Sequence, residues 1–339
     1  MIAGGKRDNS LDFVKGVLVL LMLIFHAGNL FMRDSHALWL LDEVLLNFVS
    51  GSWVFLSGYL VVRRYGNEVQ FGISRVQRRL MLRGAKIIGL FVLLNAAMAG
   101  LGLHPGRTGS YDMPTMAQIL FYGGGQLTSF EVLLGIGFLL IVAPFCLYLQ
   151  HKTGLFTWLV VIAISMTSVL SVIVPPNYWL ILCGLCGMTI GFWFDEGRIA
   201  RITRMKLGLT LLLGFGLVGV VSHYTLLILR AFTRDNLFVY LLGVVSMVTL
   251  VYISHRWLQP HSHVDEGVRL LGRYSLVCYV LQMGILWGLW WLSYSVAIPA
   301  SFGLSLSTSF VILFLVIWLI DRLISDHQVF KKIYGYAFQ

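Results

Sequence analysis

The chain has 339 residues, of which 58% are hydrophobic and only 12% are charged, and its formal net charge is +10. A soluble domain carries about 25% charged residues, so this composition argues against a soluble globular protein and indicates a polytopic membrane protein. The positive charge would suggest a nucleic-acid partner, but its placement along the chain assigns it to membrane topology, and no nucleic-acid partner is predicted.

Apolar segments predict the fold class, an all-α polytopic integral membrane bundle of about ten transmembrane helices. A helix needs about 20 residues to cross a bilayer. The predicted spans are 11–32, 39–62, 84–103, 130–150, 154–174, 178–194, 207–229, 236–255, 270–292 and 302–320. Residues 1–339 are expected to form a single transmembrane domain, and the first span is expected to be a retained helix because it is too long for a signal-peptide core.

Basic residues are distributed unevenly over the connections between the predicted spans. Twenty Lys and Arg residues fall on one side, and four fall on the other, namely Arg33, Arg107, Arg230 and Arg234. Cytoplasmic connections carry an excess of Lys and Arg. The bias therefore predicts a multi-pass protein of the cytoplasmic (inner) membrane with both termini in the cytoplasm.

The first span carries Asp12 and Lys15 at its entrance and His26 deep inside. Ionisable groups at membrane depth are costly and usually mark function. Lys15 and His26 lie on one helix face within about 20°, about 16 Å apart, so one elongated ligand can contact both. Asp12 lies about 21 Å from His26 and is expected to pair with Lys15 or an arginine. The alternative is a snorkelling lysine and a histidine bonded to a neighbouring helix.

The densest run of charge is the basic segment 63–86, which is predicted to be cytoplasmic. Arg75, Arg78 and Arg79 share a helix face, and Arg83 extends it. One interpretation is an amphipathic helix whose basic face contacts anionic lipid. The other is a phosphate-binding surface, because the guanidinium group suits bidentate contact with phosphate oxygens.

Three acidic residues and a histidine are predicted near the outer ends of the spans. Asp42 and Glu43 open the second span, Glu131 opens the fourth, and His223 lies near the outer end of the seventh. The loop 104–128 is the longest predicted outer connection and could line an opening to an acceptor. In the ninth span, Ser275, Tyr279 and Gln282 form a polar stripe expected to face other protein segments.

Four stretches together resemble the membrane-bound acyltransferase-3 superfamily, whose relatives include periplasmic-glucan succinyltransferases and heparan-glucosaminide N-acetyltransferases. They are LDFVKGVLVLLMLIFHA, FLSGYLV with the basic run after it, SFEVLLGIGFLLIVAP and LLGRYSLVCYVLQ. The chain departs from the family pattern at Lys15, where arginine is usual, and at Gln282, where histidine is common.

The resemblance implies an acyl-CoA-dependent O-acyltransferase that moves an acetyl or succinyl group to a hydroxyl of an extracytoplasmic glycan or related acceptor. His26 would act as general base or acyl carrier, with Glu43, Glu131 or Asp42, in that order, as its partner. Acyl-CoA would be a co-substrate, with no permanently bound cofactor and no metal. The phosphates would be held by basic residues, namely Lys15, Arg75, Arg78, Arg79 and Arg83.

Substrate-binding roles are assigned to Ser57, Tyr279, Gln282 and His223. The predicted partners are acyl-CoA, the acceptor and the lipid bilayer, and a homodimer is left open. The alternative function is a transporter or flippase for a lipid-linked or anionic solute, with the intramembrane His and Lys as a proton relay. The sequence shows no inverted repeat, which argues against that alternative.

Overall fold

The structure, a computed structural model, describes residues 8–32, 48–100, 130–169, 176–194, 206–228, 237–258, 262–296, 301–331 and 334. Helices dominate these ranges, and no β-strand occurs within them, so the all-α prediction is confirmed for this part of the chain. Asp42, Glu43 and the predicted outer loop 104–128 lie outside the described residues.

We number eleven α-helices of the described ranges in chain order. They are α1 Asn9–Phe31, α2 Val49–Tyr65, α3 Ile73–Gly100, α4 Glu131–Thr153, α5 Phe156–Val169, α6 Pro176–Trp193, α7 Lys206–Ile228, α8 Leu237–Leu258, α9 His263–Arg273, α10 Ser275–Val296 and α11 Phe302–Asp326. A 3₁₀ turn, Glu68–Phe71, connects α2 to α3.

Six of these helices are long and apolar enough to cross a membrane, namely α1, α3, α4, α8, α10 and α11. Large apolar side chains also remain exposed along them, such as Val311, Leu315 and Trp318 on α11. Such surfaces are unfavourable in water and suited to lipid. The protein is therefore a multi-pass membrane protein; among the described residues, length and composition support six of the ten predicted spans.

The chain divides into two compact units. The first comprises Met1–Val49 and Thr249–Gln339, and the second comprises Ser50–Val248. The first unit contains α1, the last part of α8, α9, α10 and α11. The second contains α2 from Ser50 onward, α3 to α7 and the beginning of α8.

In the first unit, α1 and α9 approach each other through glycines. A Cβ atom at Gly272 would collide with the carbonyl oxygen of Asp12, and one at Gly16 would collide with that of Val268. Because only glycine allows this approach, the two backbones pack directly against each other. This contact fixes the position of α1 against α9.

The predicted span 270–292 is wrong at its beginning. Residues 263–273 form the separate amphipathic helix α9, and the span starts at Ser275 after a turn at Tyr274. The Ser262 side chain accepts a hydrogen bond from the Asp265 N–H at 3.2 Å and caps α9. The backbone N–H of Cys278 still donates to the Tyr274 carbonyl at 2.9 Å, so helical hydrogen bonding resumes directly after the turn.

In the second unit, glycines also bring two helices close together, α2 and α6. A Cβ atom at Gly58 would collide with the carbonyl oxygen of Gly184, and one at Gly187 would collide with that of Phe55. Glycine lines both sides of this contact, so α2 and α6 approach at backbone distance.

The basic segment 63–86 is divided between two helices. Arg63 and Arg64 end α2, and the other basic residues belong to α3, which continues without a break from Ile73 to Gly100. Gly84 lies within this helix. It is a point of close approach to α4, where a Cβ atom would lie 2.7 Å from the Gly137 carbonyl oxygen.

Candidate functional site

His26 lies in the second half of α1 among buried apolar neighbours such as Met22, Leu23 and Ala27. Its ring makes an edge contact with the ring of Phe25, with centroids 5.2 Å apart. The Nε2 atom is buried, and no hydrogen-bond partner for it occurs within the described ranges. A buried polar atom left unpaired is costly, so this nitrogen calls for an explanation.

Lys15 lies near the beginning of the same helix and forms an ion pair with Asp12, with Nζ 2.6 Å from Oδ1. The expected pairing of Asp12 is therefore confirmed. The Lys15 side chain is 16% exposed, so the pair is largely withdrawn from the surface of the first unit.

The polar stripe of the ninth predicted span lies on α10, which packs against α1. Tyr279 and Gln282 are buried and Ser275 is half-buried, so the prediction that this stripe faces protein is confirmed for the first two. Gln282 is completely buried, yet neither its Nε2 nor its Oε1 atom has a partner in the part of the chain that the structure describes.

A second polar cluster of the first unit escaped the sequence analysis. The His255 ring bridges two elements: its Nδ1 lies 3.0 Å from the Ser10 Oγ on α1, and its Nε2 lies 2.8 Å from the Asp265 Oδ1 on α9. Arg269 binds the other oxygen of Asp265 at 2.9 Å. Ser10, His255 and Asp265 are all buried.

Further contacts extend this cluster around the beginning of α1. The Tyr252 hydroxyl donates to the Asp8 Oδ2 at 3.0 Å, and Arg256 donates to the Tyr252 hydroxyl at 3.2 Å. The ring of Phe13 lies against that of His255, with centroids 4.4 Å apart. We call Asp8, Ser10, Tyr252, His255, Asp265 and Arg269 the His255 cluster.

A serine, a histidine and an aspartate in this order suggest the arrangement of a nucleophilic triad, in which the carboxylate orients a ring that accepts the hydroxyl proton. Such a site also needs N–H donors for an oxyanion. Here the Ser10 and Leu11 N–H groups both donate to the Asp8 side chain, which caps α1. The first turn thus has its donors occupied, and the cluster serves to join α1, α8 and α9.

Part of this cluster could have been predicted from the sequence. Ser262 followed by Asp265 and Glu266 marks a helix beginning, and such a helix would have placed Asp265 and Arg269 on one face at a spacing of four residues. No pattern in the sequence indicates that His255, from another helix, lies between Ser10 and Asp265.

In the second unit, the α3 residues Arg75, Arg78, Arg79 and Arg83 are exposed. Arg79 approaches Glu68 at 3.4 Å, and Arg83 donates to the Tyr65 hydroxyl at 2.7 Å. These contacts orient two of the four guanidinium groups while leaving them at the surface. Ser57 donates to the Trp53 carbonyl of its own helix at 2.9 Å, so its hydroxyl is already engaged.

The described residues do not bring Glu131, Glu43 or His223 together with His26. Glu131 is the first residue of α4 in the second unit, and Glu43 lies outside the described residues. His223 belongs to α7, but its side chain also lies outside them. The predicted pairing of His26 with a carboxylate therefore stays a prediction.

Comparisons with protein-family models, with curated proteins and with solved structures find no match to this chain. The arguments on function below therefore depend on the residues themselves.

Proposed function

We propose that the protein is an integral membrane acyltransferase that moves an acyl group from acyl-CoA to a hydroxyl of an extracytoplasmic glycan or related acceptor. The observation that supports this function is the buried Nε2 of His26 within an apolar helix, to which no described residue is hydrogen-bonded. A general base needs a ring nitrogen that no protein donor already occupies, and no described residue bonds this one.

In this mechanism the Nε2 atom accepts the proton of the acceptor hydroxyl as the hydroxyl oxygen attacks the thioester carbonyl. The carbon–sulfur bond then breaks, and the CoA sulfur leaves and takes up the proton held by His26. If His26 instead carries the acyl group, the ring nitrogen attacks the thioester first and the acceptor oxygen displaces it in a second step. Both routes consume one thioester and form one ester.

The donor is proposed to bind through its phosphates to the exposed arginines of α3. Arg78 and Arg79 are neighbours on that surface, and Arg83 is oriented by Tyr65. Guanidinium groups bind phosphate oxygens in a bidentate manner, and each charged hydrogen bond contributes about 1.5–3 kcal/mol. Replacement of Arg78 by Gln should therefore weaken acyl-CoA binding about tenfold or more, measured by isothermal calorimetry on the detergent-solubilised protein.

Glu68 provides a control for that measurement. It is the acidic neighbour of Arg79, so Glu68→Gln removes a charge of opposite sign from the same surface. This variant should keep or strengthen acyl-CoA binding. If Arg78→Gln reduces association with anionic lipid vesicles but leaves acyl-CoA affinity unchanged, the arginines bind lipid and the donor site lies elsewhere.

The distribution of basic residues supports a donor on the cytoplasmic side and an acceptor on the opposite side. Vesicles of defined orientation, with acyl-CoA on the side of the basic segment and the acceptor on the other, should then form product without mixing the two solutions. Product formed only when both substrates share the cytoplasmic side would contradict this arrangement.

The central experiment replaces His26 by alanine in the full-length protein. General base catalysis contributes about 10²–10⁴-fold to rates, so transfer of a labelled acyl group from acyl-CoA should fall by that factor while membrane insertion is kept. His327→Ala is the matched control, because His327 is an exposed residue at the end of α11. Near-normal turnover by His26→Ala would refute the proposed function.

A transporter or flippase is the alternative that the same assay separates. It would move a labelled solute across the vesicle membrane without consuming thioester. Transfer of label across the membrane at constant acyl-CoA concentration, abolished by His26→Ala, would favour that alternative over the acyltransferase.

A further inference from the structure

A polar cleft lies in the first unit where the end of α11 meets the junction of α9 and α10. Its volume is about 490 Å³, within the range of about 300–1,000 Å³ that is usual for ligand pockets. Six of the described side chains that line it carry polar groups, namely Arg273, Tyr274, Asp321, Ser325, Gln328 and Lys331. His26 and Lys15 are not among them, so the cleft is distinct from the site proposed above.

Two hydrogen bonds and one contact between aromatic rings hold the walls of the cleft together. The Asp321 Oδ1 atom accepts hydrogen bonds from Arg273 at 3.1 Å and from the Tyr274 hydroxyl at 2.7 Å. The ring of Tyr274 also contacts that of Tyr334 edge to face, with centroids 5.4 Å apart. The end of α11 and the residues after it are therefore fixed against the beginning of α10.

Several polar groups in the cleft remain available to a ligand. The Lys331 ammonium and the Gln328 amide have no side-chain partner in the part of the chain that the structure describes. Both hydrogen bonds to Asp321 end on Oδ1, which leaves Oδ2 as an acceptor. The Ser325 hydroxyl already donates to the Asp321 carbonyl at 2.5 Å, so its oxygen can accept a further hydrogen bond but cannot donate one.

The charges of the lining residues favour an anion with a single negative charge. Arg273 and Asp321 offset each other, and Lys331 adds one positive charge. Ammonium and guanidinium groups bind phosphate oxygens, and the Gln328 amide can donate to another oxygen of the same group. The acceptor atoms of Asp321 and Ser325 suit a hydroxyl and would repel a second anionic group. A phosphodiester with a hydroxyl-bearing substituent fits this set of groups.

The surroundings of the cleft indicate that such a phosphodiester belongs to a lipid. Helix α11 is long and apolar enough to cross a membrane, and near its end the Arg322 guanidinium lies 5.7 Å from the centre of the exposed Trp318 ring. Tryptophan is enriched where helices leave the membrane. Beyond the helix, Val329 and Phe330 are exposed, although they lie between two residues that line the cleft. Exposed apolar side chains beside a polar cleft are suited to the surface of a bilayer, where headgroups lie.

We propose that this cleft binds the headgroup of an anionic phospholipid whose phosphodiester bears a hydroxylated substituent, as in phosphatidylglycerol. Lys331, Arg273 and Gln328 contact the phosphate oxygens, and Asp321 and Ser325 accept hydrogen bonds from the hydroxyls. The bound lipid stabilises the contact between the end of α11 and the junction of α9 and α10. The inference goes beyond the proposed acyltransferase activity and does not depend on it.

The test is native mass spectrometry of the full-length protein in uncharged detergent, with phosphatidylglycerol or phosphatidylcholine added to it. Both lipids carry a phosphodiester, but choline has no N–H or O–H to donate, and its positive charge leaves the headgroup without net charge. The Kd of the first bound lipid should be lower for phosphatidylglycerol. Because Lys331→Gln removes a charged hydrogen bond, it should raise the Kd of phosphatidylglycerol about tenfold or more.

Arg322→Gln is the matched control for Lys331→Gln. It removes the same charge from the residue next to Asp321, and Arg322 does not line the cleft, so the Kd of phosphatidylglycerol should stay unchanged. Equal effects of the two substitutions would overturn the inference, because they would indicate diffuse attraction of anionic lipid to basic residues. Equal Kd values for the two lipids would also overturn it. If Lys331→Gln does not fold, Gln328→Leu decides the question, and it too should weaken binding of phosphatidylglycerol.

Inorganic phosphate distinguishes a lipid headgroup from a soluble anion. An excess of phosphate should leave the fraction of protein that carries phosphatidylglycerol unchanged, because the lipid is held by the detergent micelle as well as by the cleft. Displacement of the lipid by phosphate would overturn the inference and assign the cleft to a soluble phosphate compound.

Discussion

The two ends of the first unit treat buried polar groups in opposite ways. Near the beginning of α1, the imidazole, hydroxyl and carboxylate groups of the His255 cluster bind one another. His26 further along α1, Gln282 and Trp287 on α10 and Ser309 on α11 instead have unpaired atoms among the described residues, whereas in the His255 cluster it is the Arg269 Nε atom that has no partner there. Both regions include residues of α1, so the helix on which a polar residue lies does not predict whether that residue is paired.

The contrast separates structure from function. Polar groups that bind one another stabilise one arrangement of helices and have little to offer a ligand, whereas unpaired buried groups weaken the fold. The comparison also explains why the His255 cluster, despite its serine, histidine and aspartate, is the weaker candidate for catalysis. We expect mutations at the two ends to change stability in opposite directions.

The largest effect on stability is expected for Asp265→Ala. This change leaves the Arg269 guanidinium and the His255 ring without their shared carboxylate inside the fold, and breaking a buried pair in this way costs about 3–5 kcal/mol. The measurement is the free energy of unfolding in mixed micelles, followed by circular dichroism during titration with SDS.

Glu266→Ala on the same helix is the control for Asp265→Ala. The Glu266 side chain is 70% exposed and lies 3.8 Å from His263, so its removal should change the unfolding free energy by less than about 0.5 kcal/mol. Equal effects of the two substitutions would mean that the paired end is not a stabilising cluster.

The next effect concerns the glycine contact between α1 and α9. In Gly272→Ala the new methyl group meets the backbone of Asp12 and Gly16 rather than a flexible side chain. Overpacking of this kind typically costs about 1–3 kcal/mol. Gly284→Ala on α10 is the matched substitution, because nothing lies within 4 Å of the added Cβ atom.

The same titration with SDS measures the Gly272→Ala and Gly284→Ala variants. Gly272→Ala should lower the unfolding free energy, and Gly284→Ala should leave it unchanged or raise it. A harmless Gly272→Ala would show that α1 and α9 are not in backbone contact.

The paired and unpaired groups are compared most directly by the same Ser→Ala substitution in each. Ser10→Ala removes the hydrogen-bond partner of the His255 Nδ1 and should destabilise the protein by about 1–3 kcal/mol. Ser309→Ala removes a hydroxyl without a partner in the described ranges and should leave the unfolding free energy unchanged or slightly raised. Similar losses in both variants would remove the distinction between the paired and unpaired ends.

The smallest effect is expected away from both ends. Arg79 on α3 is 50% exposed and lies 3.4 Å from Glu68, and exposed ion pairs contribute about 0.2–1 kcal/mol. Arg79→Gln should therefore leave the unfolding free energy within that range of the unmodified protein and change binding of anions instead. A loss above 2 kcal/mol would show that the basic surface is part of the core structure of the second unit.

The sequence by itself determined the class of the molecule. Few charges and apolar segments near bilayer length predict membrane helices, because backbone groups in lipid are satisfied only within helices or closed barrels. Ionisable residues stand out in so apolar a chain, so Lys15 and His26 could be selected from sequence alone. The pairing of Asp12 with Lys15 also followed, because residues three apart share a helix face.

Only the tertiary structure decided which of the selected residues lie together. Gly16 and Gly272 are separated by most of the chain, and their contact depends on the shapes of two helix surfaces rather than on any local pattern. The same holds for His255, whose partners come from α1 and α9, and for Ser309, which the sequence analysis did not select. Periodicity identifies the buried face of a helix, but whether a polar side chain on that face has a partner depends on residues distant in sequence.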